Sequence, residues 1–119
     1  MGETADEAAV RAYYEYVDEE AYEDLFALFA EDVVYERPGQ PPIEGLVDFE
    51  AFYREGRPLE NGSHELHAIV VDGDTAAVRG TFTGEQDGEP VSFGFADFHV
   101  FDESGAIARR YTFTDRDTV

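Results

Sequence analysis

The chain has no cysteine and no tryptophan, and its eight basic residues are all arginine, so it has no lysine either. Without cysteine there is no disulfide, no thiolate metal site and no cysteine nucleophile. Positive charge is scarce as well. Arginines 11, 37, 54, 57, 79, 109, 110 and 116 face 28 acidic residues, for a formal net charge of −20. A surface of that sign repels phosphate backbones and anionic lipid, so neither nucleic acid nor a membrane is an expected partner. No apolar run approaches the length of a bilayer span. The opening MGETADEAAV carries neither a basic n-region nor an apolar h-region, which leads us to expect a cytoplasmic protein.

Dense self-repulsion is relieved by salt, whose screening length falls to about 3 Å at 1 M. The missing lysine and the excess of carboxylates are similar to the salt-adapted proteins of extreme halophiles. The same chain is 43% hydrophobic and 14% aromatic, enough to fill the core of one domain of 119 residues. We expect that domain to span residues 1–119, because no linker, repeat or low-complexity stretch divides it. No glycine-rich phosphate loop, Ser-His-Asp arrangement or metal-ligand cluster is found, so no cofactor and no metal are expected. His64 and His67 lie three apart on an expected strand, point to opposite faces and cannot chelate one ion together.

Thr4 and Glu7 form a capping-box pattern ahead of a helix running to about Val17, with Val10, Tyr13, Tyr14 and Val17 on its apolar face. Asp18 is placed to cap a second helix over about 19–31. Val33 to Arg37 reads as a short strand, and Pro38, Gly39, Pro41 and Pro42 as a loop. A third helix spans about Leu46 to Glu55, with Phe49, Phe52 and Tyr53 inward and Gly56 as its stop. Four strands follow, over about 64–72, 75–84, 91–101 and 106–114, separated by turn signals at Asp72-Gly73, Gln86-Asp87-Gly88 and Ser104-Gly105. Helices followed by an antiparallel meander indicate an α+β fold.

The third of these strands carries the most chemical information. Val91, Phe93, Phe95, Asp97, His99 and Phe101 share one face, so an acid interrupts an aromatic row. A carboxyl in apolar surroundings has its charged form disfavoured and its pKa raised. A raised carboxyl can donate a hydrogen bond or act as a base near neutrality. An arginine nearby has the opposite effect and holds the carboxylate charged. On the last strand Arg110 shares a face with Ala108, Thr112 and Thr114, and Ile107, Arg109, Tyr111 and Phe113 take the other. Arg110 is then a candidate partner for Asp97. His99, two residues from Asp97 on the same face, is placed at the pocket rim.

The stretch Phe29 to Gly56, FAEDVVYERPGQPPIEGLVDFEAFYREG, resembles the ketosteroid isomerase-like branch of the NTF2-like superfamily, which also holds the SnoaL-type polyketide cyclases. Its strongest local motif is GQPPIEG, and the resemblance runs from about residue 11 to 115. It implies a cone of three N-terminal helices packed on a curved, mostly antiparallel sheet, with a ligand pocket between them. It places Tyr13 and Asp97 as the oxyanion-hole pair and Tyr53 as the tyrosine that hydrogen-bonds Tyr13. That protonated Asp and its tyrosine are a known isomerase arrangement. The isomerase base position, just before the loop proline, is here Arg37, which would instead meet an anion or hold Asp97 ionised. Glu36 faces the other way by strand alternation, unless the loop after Pro38, one residue shorter than in the isomerases, turns it inward.

These readings lead us to expect a pocket enzyme that moves a proton on a small hydrophobic carbonyl compound. Tyr13, Tyr53, Asp97 and Glu36 are its catalytic candidates. Phe82, Phe93 and Phe95 are its apolar wall, with Arg37, His99 and Arg110 as further substrate contacts. The alternatives are a non-catalytic binder of a small apolar acid and a dimeric interaction module. Phe98, Val100, Tyr111 and Phe113 fall on the outer sheet face, an apolar patch that leads us to expect a homodimer through that face.

Overall fold

A six-stranded mixed sheet carries three short helical elements in the structure, a computed structural model that describes residues 5–56 and 59–115. Helix α1 is Glu7–Glu19 and α2 is Tyr22–Phe26. Strand β1 is Phe29–Glu36 and β2 is Ile43–Glu44; α3, Leu46–Ala51, runs on into a π-helical turn over Phe52–Gly56. Strands β3 (Leu59–Asp72), β4 (Thr75–Gln86), β5 (Glu89–Phe101) and β6 (Ile107–Thr114) follow. The sheet order is β2-β1-β6-β5-β4-β3, with β1 and β6 parallel and the remaining pairs antiparallel.

Several boundaries correct the sequence-based expectation. The Thr4 half of the expected capping box lies outside the described residues. Asp6 is the N-cap of α1, its side chain accepting from the Ala8 N–H at 2.9 Å. Asp18 lies inside α1, while Ala21 stands at the N-cap of α2 without a side-chain hydrogen bond. The second helix is only one turn, because the chain from Phe29 onward pairs with β6. Sheet pairing therefore overrides the helical spacing of Tyr22, Leu25, Phe26 and Phe29. The third helix follows two strands, so the three helices do not form one N-terminal block.

The hairpins fall where the turn residues placed them. Between β4 and β5, Asp87 and Gly88 both have positive φ, 55° and 82°, the conformation that Asp-Gly serves in a two-residue hairpin. Gly80 has a different role. A Cβ there would sit 2.4 Å from the Glu65 carbonyl oxygen and 2.7 Å from the Phe95 ring. Its absence lets that ring lie against β4.

Alternation along β5 divides the sheet into two faces. Phe93, Phe95, Asp97, His99 and Phe101 are buried beneath α1, whose buried face is Val10, Tyr13, Tyr14 and Val17. A bulge between Val100 and Phe101 shifts the register with β6 and turns Ile107 into the core, against its expected outward place. Phe26, Phe29, Phe49 and Tyr53 form an edge-to-face and tilted aromatic cluster under α3, with ring centroids 4.4–6.3 Å apart.

Candidate active site

Pleating brings Asp97 of β5 and Thr112 of β6 opposite each other, with Arg110 two residues along the same β6 face. All three side chains are buried. Arg110 donates from Nη2 to Asp97 Oδ2 at 2.8 Å and from Nη1 to Thr112 Oγ1 at 3.0 Å. Thr112 donates its hydroxyl to Asp97 Oδ1 at 2.7 Å, so the Tyr35 hydroxyl, 3.2 Å away, donates to Thr112. Tyr14 of α1 donates to Asp97 Oδ2 at 2.5 Å. The Arg110 guanidinium lies over the Tyr13 and Tyr35 rings, 4.3 and 4.6 Å from their centroids.

This environment fixes protonation. Burial alone raises the Asp97 carboxyl, but the Arg110 charge, with the Tyr14 and Thr112 hydrogen bonds, outweighs it and holds the group below the usual carboxylate range. Asp97 is therefore a carboxylate at neutral pH. Burial pushes the Tyr13 and Tyr14 phenols well up, so both keep their protons. His99 Nε2 lies 3.0 Å from the Tyr14 oxygen, whose one proton is committed to Asp97. His99 must then be the Nε2–H tautomer, donating to Tyr14. Its Nδ1 is buried without a hydrogen-bond partner, and burial with the Arg110 charge lowers its pKa to about 3.

A cavity opens above this cluster. Tyr13, Tyr53, Phe82, Phe93, Phe95, His64 and Asp97 line it, with Arg110, Thr112 and Thr114 on the β6 side and Tyr35, Arg37 and Phe52 toward β1 and α3. Its enclosed part has room for a water or two; with the open mouth included, the cleft measures about 440 Å³. The Tyr13 and Tyr53 hydroxyls are 2.5 Å apart. One of their two protons joins them, and the other lies outside that bond. Arg37 sits at the rim, bordering the cavity and two adjoining surface grooves, its guanidinium 4.2 Å from the Phe52 ring centroid. Partial burial lowers its pKa.

A profile of the SnoaL-like domain matches residues 10–110. The chain belongs to the SnoaL-like family. Solved structures agree on the fold. One is a candidate ketosteroid isomerase from Kribbella flavida, 27% identical over 92% of this chain and 76% of that one, TM-score 0.78. Another is an LEH-like epoxide hydrolase from M. tuberculosis, 22% identical over 91% and 80%, TM-score 0.80. A third is an NTF2-like protein of unknown function from Burkholderia pseudomallei, 19% identical over 97% and 92%, TM-score 0.84. SnoaL-like folds thus carry neighbours with different chemistries, and the side chains of this cavity must argue for its own.

Among the expected site residues of this SnoaL-like chain, the cavity gathers Tyr13, Tyr53, Asp97, Arg110, Arg37, Phe82, Phe93 and Phe95. Two expectations are corrected. Glu36 is exposed and outside the cavity lining; its neighbour Tyr35 takes the inward place, as strand alternation requires. His99 is not at the rim but fully buried behind Asp97. Two residues were missed. Tyr14, not Tyr13, holds Asp97; both belong to the apolar face of α1, and spacing alone does not tell which hydroxyl reaches β5. His64 lines the cavity, and the sequence offered only its place on a strand.

Proposed function

We propose that this SnoaL-like protein catalyses proton transfer on a small hydrophobic carbonyl compound. The observation that carries this reading is a carboxylate kept ionised at the floor of a phenylalanine-walled cavity, beside a pair of hydrogen-bonded phenols. Asp97 is the base: it takes a proton from carbon next to the carbonyl. The one proton of the Tyr13–Tyr53 pair that lies outside their shared bond is donated to the oxygen on which charge develops, a contribution of a few kcal/mol for a well-placed donor. With Glu36 pointing away, no second carboxylate competes for that role among the described lining residues.

The test is turnover of cyclohex-3-en-1-one, followed by the absorbance of its conjugated product. Asp97→Asn should lower kcat/KM by at least about 10²-fold, the usual yield of a positioned general base. Wild-type protein without turnover, or a fully active Asn variant, would sink the proposal. Arg37 supports a second reading, a binder of small apolar acids, because its guanidinium borders the cavity. Calorimetry with benzoate separates the two: a pure binder loses affinity on Arg37→Gln and keeps it on Asp97→Asn. The outer face, with Phe113 57% and Phe98 39% exposed and their rings in edge contact, supports a homodimer, which sedimentation would report as a doubled mass.

A further inference from the structure

Asp97 faces the cavity from β5 and is held rigidly there. Its two oxygens already accept from Tyr14, Arg110 and Thr112. These bonds anchor the carboxylate on one side of the cavity, so it serves one carbon of the substrate and not both. A second proton carrier would complete the reaction, and β3 supplies one.

His64 opposes Phe82 across the β3–β4 pairing, and its ring packs on Phe82, Phe95 and Tyr14 at centroid distances of 5.0, 5.5 and 5.2 Å. Its Nδ1 lies 2.6 Å from Asp18 Oδ1, and its own backbone N–H donates to Asp18 Oδ2 at 2.9 Å. Both carboxylate oxygens thus grip one residue, which fixes the ring and places a proton on Nδ1. The His64 side chain is 8% exposed and Asp18 25% exposed. Nε2 makes no hydrogen bond with the described residues, and the ring lines the same cavity as Asp97. Around the imidazole, α1 contributes Asp18 and the protonated phenol of Tyr14, β4 contributes Phe82 and β5 contributes Phe95. A histidine oriented by a carboxylate, with its second nitrogen turned to a substrate cavity, is the arrangement of a general acid–base pair.

We propose that His64, oriented by Asp18, is a second proton-transfer residue of this cavity and protonates the substrate carbon that Asp97 does not serve. The inference rests on the proton-transfer function proposed above. With a β,γ-unsaturated ketone, Asp97 removes the proton between the carbonyl and the double bond. That C–H pair becomes the new double bond of a dienolate, whose charge falls on the oxygen at Tyr13 and Tyr53. The doubly protonated imidazole, with Asp18 as its counter-charge, then gives its Nε2 proton to the distal carbon. A C–H bond forms there, the remaining double bond moves into conjugation and the carbonyl is restored. Asp97 releases its proton to solvent and His64 takes one up, which returns both to their starting states without an oxidant or reductant. Asp18 does not touch substrate and is a positioning residue.

The test uses cyclohex-3-en-1-one in D2O with the full chain. Wild-type product should carry one solvent deuterium at the distal carbon. His64→Gln should slow turnover by roughly 10²-fold and leave substrate hydrogen at that carbon, because Asp97 must then return its own proton. Asp18→Asn should lower kcat with little change in KM and move the His64 Nδ1 15N signal, which reports the lost contact with Asp18. Unchanged rate and label in His64→Gln, with Asp97→Asn inactive, overturns this inference alone and leaves the proposed function standing. If wild-type protein turns over nothing, that function falls, and 15N-histidine NMR with the product cyclohex-2-en-1-one decides on His64 independently. A shift at Nε2 on addition of the enone supports a contact with ligand; a static Nε2 while Tyr53 signals move overturns it. Thermal melting of each variant confirms that the fold is intact.

Discussion

Two pairs of a carboxylate and a basic side chain border one helix-covered cavity, and they differ in basic partner, burial and placement. Asp97–Arg110 is 2% and 4% exposed, closed by Tyr14 and Thr112, and built from a cation that does not lose its charge. Asp18–His64 is more open, and its basic member is the one side chain type whose ordinary pKa lies near neutrality. Choice of the basic partner, arginine or histidine, separates a fixed charge from a group able to exchange a proton. Placement strengthens the contrast. The first pair spans two central strands, and the second joins the end of α1 to the edge strand β3.

The largest way to break that comparison is Arg110→Met. It leaves a buried carboxylate without its counter-charge and should cost about 3–5 kcal/mol of stability. Urea denaturation would show it, and a loss below 1 kcal/mol would mean that Asp97 simply takes up a proton and the pair is not a fixed charge. Tyr14→Phe comes next. It strips one donor from Asp97 and the acceptor from His99 Nε2–H, for a loss of about 1–3 kcal/mol. Tyr13→Phe leaves both of those bonds in place, so it should cost less stability while lowering turnover. Equal stability losses would erase the distinction between the adjacent tyrosines.

A further effect concerns pH. His99 is neutral in the folded protein, with a pKa of about 3 against the ordinary 6.5. The folded state therefore binds fewer protons than the unfolded chain between those values. This contribution is complete above pH 6.5 and is lost as pH falls toward about 3, with a slope of up to about 1.4 kcal/mol per pH unit. Asp97, also held below its ordinary value, adds acid sensitivity of the same sign at lower pH. Denaturation midpoints of His99→Leu should fall less steeply over that window. An unchanged slope would mean that His99 is charged in the native protein and that the buried cluster is not electrically neutral.

Much of the frame was legible before any coordinates. The β5 alternation placed Phe93, Phe95, Asp97, His99 and Phe101 on one side, and all five are buried there. The turn residues located the hairpins, and the periodicity of α1 named its buried face. What failed depended on long-range pairing. Phe29 has a helical position in the sequence but forms the start of a strand, because β6 offers it hydrogen bonds. Asp18 has the signature of a helix cap and instead reaches 46 residues along the chain to His64. Glu36, outward by strand alternation, was kept as a catalytic candidate only if the short loop after Pro38 turned it inward, and the loop does not.

The chain's composition and short-range spacing determined the acidic character, the α+β class, the strand faces and the aromatic wall around Asp97, since each depends on residue type and on a period of 2.0 or 3.6. Only the tertiary structure decided which of two neighbouring phenols meets Asp97, that Arg110 holds it ionised, and that His64 shares its cavity with a carboxylate behind it. Those facts are distances between segments distant in sequence, and hydrogen-bond geometry admits errors of only a few tenths of an ångström. Local patterns fix the direction in which a side chain points, and the packing of α1 across β3, β5 and β6 fixes what it meets.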